Sequence, residues 1–253
     1  MALSTSTIDL PTPDGTTDAF VAHPDDGQPH PGVLYYMDAF GLRKQVFDMC
    51  ARIAEAGYFV VAPNVFYRDG RAPLVADLPD LMKSGNREQL FSVLRPFMSH
   101  VTPDGAMRDA GAYLDFLAGH EAVADGPVGA TGYCMGGRLA LRTAGTFPDR
   151  VAAAASFHGG NLANDAEDSP HLLAGTITAE VYVGHADNDR SAPPEQQERL
   201  AEALSAAGVS FKAELYDGAA HGFTQADTAA YDEQATNRHW EVLLDLFARN
   251  LEG

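Results

Sequence analysis

Cys134 sits at the centre of the run Gly132-Tyr133-Cys134-Met135-Gly136. Before it comes Val128-Gly129-Ala130-Thr131, small residues suited to a buried strand, and after it come good helix formers from Leu139 to Ala144. A G-x-C-x-G between a strand and a helix has the spacing of a nucleophile elbow, with cysteine where serine usually stands. The reason is steric. A side chain swung outward at so tight a corner strains its own backbone, and the neighbouring elements leave no room for a Cβ at Gly132 or Gly136. A cysteine at a helix N-terminus faces unpaired N–H groups, which favour a thiolate and can receive an oxyanion. Alone, the same pattern also fits a small buried cysteine beside turn glycines. Partners elsewhere in the chain decide between the two.

A cysteine nucleophile needs a base, and the base needs an acceptor that orients it. His221 follows Cys134 by 87 residues, in the glycine-flanked loop Asp217-Gly218-Ala219-Ala220-His221-Gly222 just past an expected strand. Of the nine histidines it has the best setting. His158 and His185 also follow expected strands and could approach the site, whereas His23, His30, His100, His120, His171 and His239 fall in surface-like or helical contexts. Between nucleophile and histidine the chain reads His185-Ala186-Asp187-Asn188-Asp189. Either Asp187 or Asp189 can accept the imidazole N–H, and the other then serves as a turn or cap aspartate.

These residues have to be delivered by a scaffold, and the rest of the chain reads as one. Short apolar runs at 19–22, 32–37, 58–62, 128–132, 151–157, 180–184 and 210–216 alternate with helical periodicity at 44–56, 87–97, 105–118, 135–146, 194–207 and 232–250. That alternation predicts an α/β fold, a mostly parallel central sheet flanked by helices on both faces. No repeat or flexible linker interrupts it, so residues 1–253 read as a single domain. A chain of this size buries roughly three-quarters of its unfolded surface. The stretch from Asn64 to Asn86, with Pro73, Pro79 and scattered charges, reads as an excursion over the strand ends where a pocket can form.

Composition narrows the function further. The net charge of −18 argues against nucleic acid or anionic membranes as partners, and an anionic substrate would need local arginines to overcome the general field. No stretch approaches the ~20 apolar residues of a membrane span. The N-terminus lacks a basic region and an apolar core, so no signal peptide is visible and a cytoplasmic protein is expected. Of the two cysteines, Cys50 lies in a helical stretch beside Phe47 and Ile53 and reads as core, and free thiols are expected at both. The histidines and aspartates show no paired spacing of a metal site, so neither metal nor cofactor is expected.

Together with the turn Tyr36-Met37-Asp38-Ala39-Phe40-Gly41, these residues resemble the dienelactone hydrolase (carboxymethylenebutenolidase) family of α/β-hydrolases, from about Gly32 to the final helix. The resemblance implies the α/β-hydrolase fold and a triad of Cys134, Asp189 and His221, with Asp187 as the alternative acid. It implies an oxyanion hole of the Met135 and Ala39 N–H groups. It also implies a carboxylate regulating the resting thiol, at Asp38, where the family has the longer glutamate. Of two arginines that hold a substrate carboxylate in the family, one matches Arg87. The other falls at Gln225, where a charge-assisted hydrogen bond worth ~1.5–3 kcal/mol is lost. The function implied is hydrolysis of an ester or lactone through a thiol-ester intermediate, by a monomer or weak homodimer. Two alternatives stand beside it: a broader carboxylesterase or thioesterase acting on neutral substrates, and a non-catalytic hydrolase-like protein that binds a small molecule.

Overall fold

In the computed structural model, which describes residues 2–75, 78, 82 and 87–252 and the backbone alone at Arg87, eight strands form one sheet. In chain order the elements are β1 (Leu3–Thr12), β2 (Gly15–Pro24), β3 (Gly32–Tyr36), α1 (Lys44–Glu55), β4 (Phe59–Pro63), α2 (Arg87–His100), α3 (Pro103–Gly119) and β5 (Val128–Tyr133). They continue as α4 (Met135–Thr146), β6 (Val151–Phe157), a 3-10 turn (Pro170–Thr176), β7 (Glu180–Ala186), α5 (Pro194–Ala206), β8 (Phe211–Tyr216) and α6 (Glu233–Leu251). The strand order is β1-β2-β4-β3-β5-β6-β7-β8, antiparallel at the β1/β2 and β2/β4 pairings and parallel from β4 to β8.

Seven of these strands coincide with the apolar runs of the sequence. The eighth, β1, was not expected. Its inward positions are sparse, only Leu10 being buried, so the alternation is faint. The signal that was there is the Pro13-Asp14-Gly15 turn, which closes a hairpin with Thr12 opposite Gly15.

Successive strand residues point to opposite faces, and the pair Tyr35-Tyr36 shows what lies on each. The Tyr35 hydroxyl donates to Met49 Sδ of α1, while the Tyr36 hydroxyl lies 2.7 Å from Thr143 Oγ1 of α4. Helices therefore cover both faces. β3, β4 and β5 are buried end to end, and β6 runs Val-Ala-Ala-Ala-Ala-Ser-Phe, whose small side chains let helices approach closely. Local chemistry starts the helices: Thr102 accepts from the Gly105 N–H ahead of α3, and Asp232 accepts from the Ala235 N–H ahead of α6. Among the described residues no helix is long and apolar enough to cross a membrane.

Register is what matters for the site. Tyr36 lies opposite Gly132, Gly132 opposite Ser156, and Phe157 opposite Gly184, so the segments that leave β3, β5, β6 and β7 emerge at one edge of the sheet. β8 adds its own end there, with Ala186 opposite Tyr216. Chemistry-bearing residues that follow these strands are brought together by this alignment.

Candidate active site

Cys134 links β5 to α4 with φ 54° and ψ −116°, a left-handed backbone that is uncommon for a residue with a side chain. Two glycines make the corner possible. A Cβ on Gly132 would stand 2.0 Å from the Gly136 carbonyl oxygen, and one on Gly136 would stand 2.4 Å from the Tyr36 carbonyl oxygen. Both neighbours are backbone and cannot move aside, so only glycine lets β5, α4 and β3 close around the cysteine. The Cys134 N–H donates to the Phe157 carbonyl at 3.1 Å, holding the corner to β6.

His221 comes from the loop after β8 and is seated by its neighbours. Phe223 is fully buried, stacks on Tyr216 with ring centroids 4.7 Å apart, and accepts at its carbonyl from the Thr236 hydroxyl of α6. From this anchored loop His221 Nε2 reaches to 3.1 Å from Cys134 Sγ and Nδ1 to 2.6 Å from Asp189 Oδ2. The other Asp189 oxygen accepts from the Ser191 N–H and hydroxyl, at 2.8 and 2.7 Å. Asp187 turns away and accepts from the Gly218 N–H at 3.1 Å, which braces the histidine loop. Of the two aspartates the sequence left open, Asp189 is the one that meets the imidazole.

The electrostatics of this trio follow from its contacts. Burial opposes a charged ring at His221, but the sulfur of Cys134 and the carboxylate of Asp189 outweigh it and raise its pKa to about 10. Burial likewise pushes Asp189 up, and the His221 hydrogen bond and charge more than reverse this, so its pKa is lowered. His158 does approach the site, its ring centroid 5.3 Å from that of His221, yet its Nε2 is occupied 2.8 Å from Thr224 Oγ1 and burial drives its pKa well down. His185 is buried and held neutral, its pKa lowered to about 4 mainly by burial. His239, read from sequence as surface-like or helical, is fully buried in α6 with Nε2 2.8 Å from the Tyr133 hydroxyl.

Met135 opens α4, where the first N–H groups have no partner within the helix, and Ala39 lies in the neighbouring turn after β3. That turn is organised by an arginine the sequence analysis did not single out. Arg43 donates to both oxygens of Asp38 at 2.8 and 3.0 Å, to the Gly41 carbonyl at 3.2 Å, to Gln225 Oε1 at 3.0 Å, and to both oxygens of Asp227 at 2.6 and 3.1 Å. It fastens the Ala39 turn to the segment that follows His221. The available signal was an arginine five positions after Asp38 in a strongly acidic chain.

This arrangement bears on two expectations. Asp38, buried to 2% exposure, also accepts from the Phe40 N–H at 2.9 Å, so its carboxylate is brought to Arg43 and not to the Cys134 thiol. Gln225 is buried at 1% exposure, its oxygen taken by Arg43 and its nitrogen donating to Thr224 Oγ1 at 3.0 Å, so it does not offer itself to a substrate. Arg87 begins α2, but its side chain lies outside the described part of the structure.

A cavity of about 460 Å³ opens beside Ala39 and Phe40, under the described part of the 64–86 excursion. Its walls are largely apolar, including Phe66, Leu74, Leu94 and Phe97, and the cations at its edge, Arg43 and Lys44, are paired with Asp38, Asp227 and Asp48. Among the described residues there is no cluster of three or more histidine, cysteine or acidic side chains that could hold a metal ion.

Comparison with known proteins adds the lineage. Residues 17–251 match the model of the dienelactone hydrolase family. A Methylorubrum extorquens protein described as "Putative carboxymethylenebutenolidase" is 28% identical over 244 residues, spanning 95% of this chain and 79% of its own. A solved structure from Klebsiella pneumoniae, described as "Putative Dienelactone Hydrolase", superposes with a TM-score of 0.85 at 26% identity, covering 98% of this chain and 100% of that one. The dienelactone hydrolase-like promiscuous phosphotriesterase P91, from metagenomic libraries, superposes with a TM-score of 0.77 at 25% identity, covering 99% of each chain. The architecture of the chain is the α/β-hydrolase fold that these neighbours share.

Proposed function

The chain belongs to the dienelactone hydrolase family, and from that premise we propose that it cleaves an ester or lactone through a thiol ester formed on Cys134. The observation that carries this reading is the hydrogen-bonded series from Asp189 through His221 to Cys134 Sγ at a strained, positive-φ corner. A non-catalytic binding protein has no use for a nucleophile, base and acid in mutual contact.

In the proposed cycle Sγ attacks the carbonyl carbon, and the oxygen takes up negative charge facing the N–H groups of Ala39 and Met135. The tetrahedral species collapses as the carbon–oxygen bond to the leaving group breaks and His221 Nε2 gives its proton to that oxygen. Water then loses a proton to the same nitrogen and attacks the thiol ester. The carbon–sulfur bond breaks, the acid is released, and sulfur and imidazolium are restored. Asp189 keeps Nδ1–H directed at itself, so that Nε2 faces the sulfur throughout.

A second reading concerns the substrate. With both carboxylates on Arg43, Lys44 on Asp48 and Gln225 buried, the described walls of the cavity beside Ala39 hold no unpaired cation for a substrate carboxylate. The apolar cavity suits a neutral acyl or alcohol group instead. The test is to mix the protein with a neutral aryl ester or a carboxylate-bearing lactone, quench early and measure intact mass. An acyl increment located on the Cys134 peptide, accumulating faster from the neutral ester, is the expected result. Turnover without any adduct on that peptide would remove the covalent mechanism, and preference for the anionic lactone would remove the neutral-substrate reading.

The raised His221 pKa has a signed consequence. The folded-state value, about 10, lies above the ordinary value of 6.5, so the stabilisation from charged His221 is complete below roughly pH 6.5. It is lost as pH rises through about 10. Because the charged ring donates the leaving-group proton, kcat/KM should hold at mildly alkaline pH and descend near pH 10. A descending limb near the ordinary histidine value in the pH–rate profile would contradict the pairing.

A further inference from the structure

On the far side of α2 from the apolar cavity lies a second cavity, of about 300 Å³. Helix α2 turns Leu94 and Phe97 toward the first cavity and Phe91, Arg95 and Met98 toward this one. Opposite them α4 contributes Met135, Arg138, Leu139 and Arg142, which at spacings of three, four and seven form one helix face. Three arginines therefore converge on one hollow in a chain that carries 35 acidic residues against 17 basic ones.

The guanidinium groups on α4 are poorly satisfied. Arg142 is only 6% exposed, its terminal Nη2 has no hydrogen-bond partner, and the acid beside it, Asp168, stands 3.6 Å away and is half exposed. That distance is too long for a hydrogen bond. Arg138 Nε is likewise buried without a partner. Elsewhere the chain treats its arginines differently: Arg43, Arg68 and Arg238 each hold a carboxylate with two donors. Burying a guanidinium with free donors is costly, and placing a like charge four residues away on the same face adds to the cost. Burial and the charge of Arg138 both depress the Arg142 pKa, against the pull of Asp168 and Asp104. An anion between the two forks would relieve both penalties, since a guanidinium presents paired donors matched to carboxylate and phosphate oxygens.

We propose that Arg138 and Arg142 of α4, with Arg95 of α2, form a binding site for a single carboxylate or phosphate group. The site is separate from the reacting thiol but shares with it the first turn of α4, through Met135. The anion site goes beyond the hydrolytic reading and does not depend on it; only a substrate as the source of the anion rests on that reading. The ligand is either the anionic end of a long substrate, lying one to two turns of α4 from the nucleophile, or a free anion that binds on its own.

The experiment uses the whole protein with inorganic phosphate and with acetate, against sodium chloride of matched ionic strength. Thermal unfolding should shift upward by about 5 °C as phosphate or acetate saturates the site, and not with chloride. Arg142→Met should abolish the shift while melting no lower than wild type in anion-free buffer, because it removes a buried charge and keeps the bulk. Arg138→Gln should weaken the apparent phosphate affinity about tenfold or more. No anion-specific shift in wild type, or an equal shift in Arg142→Met, overturns the proposal. Given a shift, initial rates on an ester carrying a distal carboxylate and on its neutral analogue identify the source. Competitive inhibition by phosphate of the charged ester alone marks the seat of the substrate's own anionic end, and unchanged turnover of both marks a separate anion.

Discussion

Replacing Cys134 with alanine is expected to lower kcat/KM for an activated ester by about four to six orders of magnitude while leaving the fold intact. Both halves of this expectation come from the corner. The strained backbone at φ 54° is held by Gly132, Gly136 and the Cys134 N–H bond to Phe157, none of which involves the sulfur, and alanine is smaller than cysteine. Removal of the sulfur leaves the Ala39 and Met135 N–H groups and the cavity in place, so some rate above the uncatalysed reaction survives, as it does when one member of a hydrolytic triad is deleted. It also takes away the sulfur that helps to raise the His221 pKa, so the ring should titrate lower than in the wild type. Initial rates, thermal unfolding and NMR titration of His221 together check this. Wild-type turnover by a folded Cys134→Ala protein would end the nucleophile assignment.

The second large effect is on stability. Arg43→Met should cost about 3–5 kcal/mol, because it strips the counter-charge from Asp38, which is buried at 2% exposure. Asp227 is a third exposed and rehydrates more easily, so it contributes less. The loss should be partly recovered in Asp38→Asn combined with Arg43→Met, which no longer buries an unpaired charge. Arg43→Lys should recover little, since an ammonium cannot serve Asp38, Gln225 and Asp227 at once. Under conditions where the single variant remains folded, kcat should fall as well. The Ala39 turn and the segment after His221 lose their common fastening, and a displacement of about 1 Å at such a site costs roughly a hundredfold. Urea denaturation of the single and double variants measures the coupling. An Arg43→Met protein as stable as wild type would show that the cluster is electrostatically neutral to folding.

These two positions differ in how far the chain itself advertised them. Cys134 stands inside a contiguous pattern whose constraint is local: a strand, a corner that excludes Cβ atoms, a helix. His221 and Asp189 could be ordered after it because each follows an apolar run that reads as a strand. Arg43 belongs to no such pattern. Its partners Gln225 and Asp227 lie 182 and 184 residues further along, and nothing short of the folded sheet says that they meet. The same limit explains Asp38, whose direction is set by Arg43, and His239, which is polar by type but faces Tyr133 from the buried side of α6. β1 was missed for a different reason: an edge strand with little buried surface carries little periodic signal.

Local periodicity and turn chemistry were therefore enough to indicate the alternating α/β architecture, the glycine-flanked corner at Cys134, and that Asp189 and His221 each follow an apolar run that reads as a strand. Those properties depend on steric and hydrophobic constraints acting within a few residues. What only the tertiary structure decided is which side chains share an edge. The way loops and helices pack on the aligned strands brings Asp189 rather than Asp187 to His221, turns Asp38 and Gln225 toward Arg43, and leaves Arg138 and Arg142 facing one cavity with donors unspent. Such contacts are set by the sum of the whole packing, and the spacing of any one segment does not carry them.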